Sequence, residues 1–170
     1  MSRLTSNDIT RQNINLKVDF SEEIDQYLKQ RESLPQFDVR NCLYEHDITA
    51  NVRARMVDWM IEVLSNFGCD EQTFFIAVSI QDRYFKNSRE ILKIPDLHII
   101  GVTSMFIASK YEDVVPLRIK TIDEKIAQKK LNIEDIRYLE LLILKELNYE
   151  IEAPTVLDFL KTLLLEVLGI

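Results

Sequence analysis

The stretch from Ile94 to Asp113, IPDLHIIGVTSMFIASKYED, constrains the fold more than any other part of the chain. Drawn as a helix that begins at Pro95, it places apolar side chains around its whole circumference, whereas a surface helix keeps one polar face. We therefore predict a central helix that other helices cover on every side. Gly101, Ser104 and Ala108 share a strip of about 60° on this helix, where we expect another helix to approach closely.

The composition bounds the classes of protein to consider. The chain has 170 residues with only three glycines and four prolines, which suits one all-helical domain or one domain with a fragment of another. Its formal charge of −7 argues against binding to nucleic acid or to an anionic membrane, because such binding depends on clustered Lys and Arg. No signal peptide or long apolar run occurs, so we expect an intracellular protein.

Residues that could catalyse a reaction or hold a metal are sparse. Cys42 and Cys69 stand in unrelated contexts, where we expect reduced thiols, and His46 and His98 are too separated to predict a metal site. The G-x-S-x-G, P-loop, H-E-x-x-H and Rossmann glycine patterns are all missing from the sequence. We therefore predict no enzyme activity, no metal and no cofactor.

Capping residues and apolar periodicity divide the rest of the chain into helices. We expect a loose tail over residues 1 to 19, a short amphipathic helix that Pro35 closes, and a connector before the next helix. The residues predicted to start these helices are the N-caps Ser21, Thr49, Asp70 and Asn132, a capping box of Thr121 with Glu124, and Pro154 in the first turn of the last helix.

Three charged residues fall inside apolar arcs on helical wheels. Arg53 lies in the arc of ANVRARMVDWMIEVLSNF, and Asp82 lies in that of the next helix, DEQTFFIAVSIQDRYFKN. Because a buried charge is costly unless it is paired, we predict an Arg53–Asp82 ion pair with a structural role. Glu140 lies between Ile136 and Leu144 on its wheel, and we expect it to meet a hydrogen-bond donor.

Four sequence words resemble those of the cyclin family, in the same order. VRARMVDWMIEVL is similar to the signature M-R-x-I-L-x-D-W-L-x-E-V, and DEQTFFIAVSIQDRYF is similar to the second helix, which ends I-D-R-F/Y. GVTSMFIASKYED resembles G-x-x-x-M-x-x-A-S-K-x-E-E, and LELLILKELNYEIEAPTVLDFL resembles the join between two cyclin boxes. The chain is identified as a cyclin, and Y-L-K-Q-R-E and D-I-T are more similar to mitotic A/B-type cyclins than to G1 types.

The resemblance implies an all-α fold, a five-helix cyclin box with a short N-terminal helix and one extra C-terminal helix. The expected division is a tail and short helix at residues 1–37, the cyclin box at 38–150, and the first helix of an incomplete second cyclin box at 151–170. The family's structural pair falls on Arg53 and Asp82. The leucines of the last helix would either dock back on the first box or favour self-association.

The resemblance also implies a function in cell-cycle control, in the nucleus and cytoplasm. A cyclin is a regulatory subunit that binds and activates a cyclin-dependent protein kinase by packing the third and fifth helices of its box on the kinase αC helix and ordering the active site. The kinase-contacting lysine and glutamate of the family fall on Lys110 and Glu140. Without the resemblance, Lys110 would be an ordinary surface lysine near a helix C-terminus.

Cell-cycle cyclins also dock substrate or inhibitor peptides on a shallow patch around the first helix of the box. Arg55 stands where an isoleucine is common and His98 where a glutamine is common. We expect Arg55 to lie over Trp59 or to pair with Asp58 or Glu62, which would weaken or alter a preference for R-x-L motifs. The matching positions are Val52, Arg55, Met56, Trp59, Glu62, Leu97 and His98.

Two other classes of protein remain as alternatives. A cyclin-fold transcription factor would contact DNA or polymerase, but its surface should be basic, whereas this chain is acidic. A helical scaffold would have no kinase partner. A salt-dependent DNA-binding assay tests the first alternative, and a kinase pull-down tests the second.

Overall fold

The computed structural model describes residues 20–168, so the predicted tail over residues 1 to 19 lies outside the described part. The regular secondary structure of the described residues is helical apart from one isolated β-bridge between Asp47 and Lys93, which confirms the all-α prediction. Within it, no helix is both long and apolar enough to span a membrane. The helices are α1 (Ser21–Glu32), α2 (Ala50–Asn66), α3 (Glu71–Asn87), α4 (Ile94–Glu112), α5 (Ile119–Thr121), α6 (Ile133–Glu146) and α7 (Val156–Leu168).

Two compact units make up the described residues. The larger unit, Gln36–Ala153, holds α2 to α6. The smaller unit consists of residues 20–35 and 154–168, in which α1 packs against α7. Apolar side chains of this smaller unit remain exposed, among them Phe20 just before α1, Tyr27 of α1, and Leu160, Leu163, Leu164 and Val167 of α7.

Helix α4 is the centre of the larger unit. It contacts α2, α3, α6 and the π-helical turn at Ile122–Ile126 that follows α5. Every residue from Ile100 to Ser109 is buried, whatever direction its side chain takes from the helix axis. The prediction of a central helix covered on every side is therefore confirmed.

The predicted close approach occurs at Gly101. A Cβ atom added to this residue would overlap the Cε atom of Met56 on α2 and would lie 3.4 Å from Oε1 of Gln81 on α3. A glycine in a helix interior costs about 1 kcal/mol relative to alanine. Here it lets α2 and α3 lie directly against the backbone of α4.

Three of the predicted N-caps are confirmed. The Thr49 hydroxyl accepts a hydrogen bond from the Val52 N–H at 3.3 Å, and the Asn132 side chain accepts one from the Glu134 N–H at 2.9 Å. The Asp70 carboxylate accepts one from the Gln72 N–H at 2.8 Å. These caps fix the first turns of α2, α6 and α3.

Three other predicted helix starts are wrong. Ser21 is already the first residue of α1 and therefore cannot act as its N-cap, a position that Phe20 occupies. Thr121 makes no capping bond, because the chain around it forms the short helix α5 and a π-helical turn rather than one regular helix. Pro154 precedes α7, whose N-terminus is instead closed by hydrogen bonds between Thr155 and Asp158.

Candidate functional site

Arg53 and Asp82 are brought together between α2 and α3. The Arg53 Nε donates to Asp82 Oδ1 at 2.7 Å, and Nη2 donates to Oδ2, so both carboxylate oxygens accept from one guanidinium group. The Asp82 side chain is 8% exposed and that of Arg53 is 29% exposed. The hydrogen bond to Asp82 raises the pKa of Arg53 further above its ordinary value. A planar guanidinium and a carboxylate matched in this way form a strong and directional contact.

Lys110 and Glu140 are also brought together, although 30 residues separate them in the sequence. The Lys110 Nζ donates to Glu140 Oε1 and lies 4.2 Å from the centroid of the Phe106 ring. The two residues therefore join the end of α4 to the middle of α6. Their side chains are 41% and 16% exposed, so this pair lies at the surface of the larger unit. The donor that Glu140 was expected to meet is Lys110.

Exposed apolar side chains accompany this pair in the sequence. Tyr111 follows Lys110 directly, and Val114 and Val115 follow the end of α4 with 99% and 80% of their surfaces exposed. Leu141 follows Glu140 and is also exposed. We call Lys110, Glu140 and these four side chains the paired-charge face. Large exposed apolar side chains next to charged groups are typical of surfaces that bind other proteins.

Asp113 holds the end of α4, a role that sequence reasoning missed. Its Oδ1 accepts from the Asp70 N–H and from the Thr73 hydroxyl, both at 2.8 Å. Burial alone would raise the pKa of Asp113. Hydrogen bonds from Ser109, and then from Asp70 and Thr73, together outweigh burial and lower the pKa below its ordinary value. Burial and Asp113 raise the pKa of the neighbouring Cys69 thiol to about 12. This thiol therefore stays protonated and unreactive.

A groove of about 560 Å³ lies beside α2 and the start of α4. Six of the seven residues predicted for the docking patch line it, and the seventh, Glu62, is exposed on α2 but does not. The groove also has a wall that the sequence did not predict, from the segment after α5. The full lining is Val52, Arg55, Met56, Trp59, Ile94, Leu97, His98, Ile126, Ala127, Gln128 and Lys130, which we call the α2–α4 groove.

The predicted contacts of Arg55 do not form. Within the described residues, no ring contact or ion pair joins Arg55 to Trp59, Asp58 or Glu62. Trp59 instead meets His98 edge-to-face, with ring centroids 5.3 Å apart. Burial first, and then the positive charge of Lys130, lower the pKa of His98.

The unpredicted wall of the groove has an unusual backbone. The Ala127 N–H donates to the Ile122 carbonyl at 2.7 Å, which is the five-residue spacing of a π-helix. Gln128 and Lys129 follow with φ angles of 51° and 56°, in the left-handed region that residues other than glycine seldom adopt. This path turns the chain so that Gln128 and Lys130 line the groove.

His46 is a further residue that sequence reasoning missed. Its Nε2 lies 2.6 Å from the Phe85 carbonyl, and its Nδ1 accepts from the Leu92 N–H at 3.2 Å. The first contact requires a proton on Nε2 and the second requires none on Nδ1, which defines one neutral tautomer. His46 thus ties the connector before α2 to both ends of the α3–α4 link. Among residues 20–168, no three His, Cys, Asp or Glu side chains gather in a way that could hold a metal ion.

Comparisons with known proteins agree with this helical box and its central helix. The sequence profile described as "Cyclin, N-terminal domain" matches residues 23–152. G2/mitotic-specific cyclin-B2 of Bos taurus is 34% identical over 150 residues, which cover 88% of this chain and 37% of that protein. Cyclin-A2 of Gallus gallus is 32% identical over 157 residues, which cover 92% of this chain and 39% of that protein.

A solved structure gives the same fold. The viral cyclin from herpesvirus saimiri matches with a TM-score of 0.72 at 23% identity, over 85% of this chain and 60% of that chain. The fold and the matched residues define a cyclin box, in which four of the five helical segments surround the fifth, the buried helix α4. The chain belongs to the cyclin family and contains an N-terminal cyclin box, as its sequence words predicted, and its relatives include B-type and A-type cyclins. It spans less than two fifths of the length of these curated relatives.

Proposed function

We propose that the protein is the regulatory subunit of a cyclin-dependent protein kinase in cell-cycle control, acting in the nucleus and cytoplasm. Membership of the cyclin family supports a regulatory rather than a catalytic role. The observation that carries the kinase proposal is the paired-charge face, where Lys110 and Glu140 join α4 to α6 and have exposed apolar residues as their neighbours in the sequence.

The proposed mechanism depends on groups that this pair leaves unused. A lysine ammonium has three donors and a carboxylate has two acceptor oxygens, and the pair uses one of each. The remaining donors and acceptors are available to backbone groups of the kinase αC helix, while the apolar side chains pack around them. Because a kinase needs its αC helix in place to assemble its lysine–glutamate pair, binding selects the active state.

Kinase reconstitution with two single variants tests this proposal. Lys110→Ala and Glu140→Ala should each lose roughly 2–5 kcal/mol of kinase binding, much of it because the remaining charged group is left unpaired. Binding is measured by calorimetry with a cyclin-dependent kinase, and activation by phosphate transfer to a substrate peptide. Kinase pull-down from native extract identifies the partner in parallel.

Arg137 and Glu134 form an exposed ion pair on α6 at 3.3 Å, with side chains 57% and 73% exposed, but Arg137 lies one turn before Glu140 and Leu141 on the same side of the helix. The matched controls are therefore Lys120 and Glu124, an exposed ion pair outside α4 and α6 with side chains 79% and 43% exposed. Lys120→Ala and Glu124→Ala change charge as the test variants do, and kinase binding should stay unchanged. Normal activation by a folded Lys110→Ala protein rejects the proposal.

We also propose that the α2–α4 groove docks peptide segments of substrates or inhibitors. The groove supports this because it is concave, largely apolar and within the volume range of roughly 300–1,000 Å³ that is typical of ligand sites. Fluorescence anisotropy with labelled peptides tests it, with Trp59→Ala as the variant that removes the largest lining side chain. Docking that Trp59→Ala leaves unchanged rejects this role.

For the C-terminal region we propose that α7 opens a second helical unit of the cyclin type. The matched family profile ends at residue 152, and α7 begins beyond it with exposed leucines on its surface. Limited proteolysis should cut between residues 150 and 156 before it cuts within α2 to α6. Protection of this segment equal to that of the box contradicts a separate unit.

A further inference from the structure

The α2–α4 groove is lined by cations and by no anion. Arg55 comes from α2 and Lys130 from the segment after the π-helical turn, so the two positive charges belong to different walls. Both side chains are exposed, and neither takes part in an ion pair with any residue between 20 and 168. The side chains that share the lining with them are mostly apolar.

The acidic residues close in sequence to Arg55, Leu97 and Lys130 do not line the groove. Asp58 and Glu62 are exposed on α2 and are not part of the lining. Asp96 caps α4, where its carboxylate accepts from the Lys93 N–H at 2.8 Å. His98 responds to this positive charge as well. Its pKa is lowered first by burial and then by the charge of Lys130.

This positive groove belongs to a protein whose net charge is −7. A long polyanion that reached the groove would also meet the surrounding negative charge, which repels it. A short segment with one or two carboxylates avoids most of that repulsion and still places its charge beside Arg55 and Lys130. A guanidinium or ammonium group in the same place would meet two like charges.

Resting on the docking role proposed above, we infer that the groove selects peptide segments in which an acidic residue stands next to large apolar ones. The apolar side chains of the segment fill the space between Met56, Trp59 and Leu97. The acidic side chain lies between Arg55 and Lys130. The preference is thus opposite in charge to that of an R-x-L motif, and Arg55 is its main determinant.

The backbone of the second wall agrees with such a role. Residues held in rarely adopted conformations persist where the surrounding structure requires them, and they concentrate at functional sites. Here the strained residues, Gln128 and Lys129, directly precede the lysine that supplies the second positive charge. The π-helical turn before them is a second feature that is frequent at functional sites.

Two labelled peptides of equal length test the inference by fluorescence anisotropy. Both carry the same leucine and phenylalanine, and the flanking positions are two glutamates in one peptide and two arginines in the other. The 170-residue protein should bind the acidic peptide about tenfold more tightly, and the difference should shrink at 1 M salt. Arg55→Glu should reverse the order of the two affinities.

Arg137→Glu is the matched control, because it makes the same change in net charge on α6, which contributes no residue to the groove. It should leave the ratio of the two affinities within about twofold. A parent protein that prefers the basic peptide, or a ratio that Arg55→Glu leaves unchanged, overturns the charge preference and leaves docking itself in place. Failure of both peptides to bind the folded parent overturns the docking role together with the preference.

Discussion

The two ion pairs of the larger unit differ in what they leave unsatisfied. The Arg53–Asp82 pair joins α2 to α3 through two parallel hydrogen bonds that occupy both oxygens of a carboxylate only 8% exposed. The Lys110–Glu140 pair joins α4 to α6 through one hydrogen bond, and its side chains are 41% and 16% exposed, against 29% and 8% for the first pair. In the first pair both oxygens of a buried carboxylate are occupied, whereas in the second pair one carboxylate oxygen and two lysine donors remain unused.

This difference separates a charge that holds a fold from a charge that is available to a partner. Removing one member of a buried pair strands the other in a place where water cannot replace it. An exposed pair contributes little to stability, because water solvates either member when it is alone. The two pairs should therefore respond in opposite ways to the same kind of substitution, one in stability and the other in binding.

The largest expected effect is on the buried pair. Arg53→Ala leaves the Asp82 carboxylate, which is 8% exposed, without its partner and should lower the free energy of unfolding by about 3–5 kcal/mol. Urea denaturation followed by circular dichroism measures this loss, with Arg137→Ala of the exposed α6 pair as the control. A loss below about 1 kcal/mol is what an exposed ion pair gives, and it would mean that the two pairs do not differ in their contribution to stability.

The next effect concerns the surface pair and its charges. Exchanging them in the double variant Lys110→Glu, Glu140→Lys keeps an internal attraction but presents the opposite charges to a partner. We expect the free energy of unfolding to change by about 0.5 kcal/mol or less, as for other surface substitutions. Kinase binding, measured by calorimetry, should weaken by roughly 2–5 kcal/mol. Full activation by the exchanged variant would mean that the pair only links α4 to α6.

A third, smaller effect tests the close packing beside the buried pair. Gly101→Ala places a methyl group against Met56 of α2 and near Gln81 of α3, which are close in sequence to Arg53 and Asp82 respectively. Overpacking costs about 1–3 kcal/mol, but alanine recovers about 1 kcal/mol of helix propensity and the flexible Met56 side chain can shift, so we expect a net loss of about 1 kcal/mol. Met56→Leu removes the Cε atom that the new methyl group would overlap, so the double variant should recover part of the loss. Thermal denaturation measures both, and no recovery contradicts the assigned contact.

The same difference explains which pair the sequence predicted from physical reasoning alone. Arg53 and Asp82 each lie in an apolar arc, and two opposite charges that must be buried require each other. Lys110 lies at a helix end, where an exposed lysine needs no partner, and 30 residues separate it from Glu140. Burial therefore identified the first pair, whereas only the family resemblance related Lys110 to Glu140.

The rest of the fold was predictable to the extent that it depends on periodicity. The apolar circumference of α4 and the caps at Thr49, Asp70 and Asn132 are local patterns, and the structure follows them. The π-helical turn and the φ angles of Gln128 and Lys129 depend on packing against other helices, so the wall that contains Lys130 had no local signal. The packing of α1 on α7 likewise joins opposite ends of the chain.

The smallest effect is the response of the two pairs to salt. Double-variant cycles with alanine at each position give the coupling energy of each pair, and each cycle is measured in low salt and in 1 M salt. Mobile ions screen exposed charges over about 3 Å at 1 M but reach buried charges far less. The Lys110–Glu140 coupling, about 0.2–1 kcal/mol at low salt, should fall toward zero, while the Arg53–Asp82 coupling should persist. Equal losses in both cycles would show that solvent reaches both pairs, and burial would then no longer distinguish them.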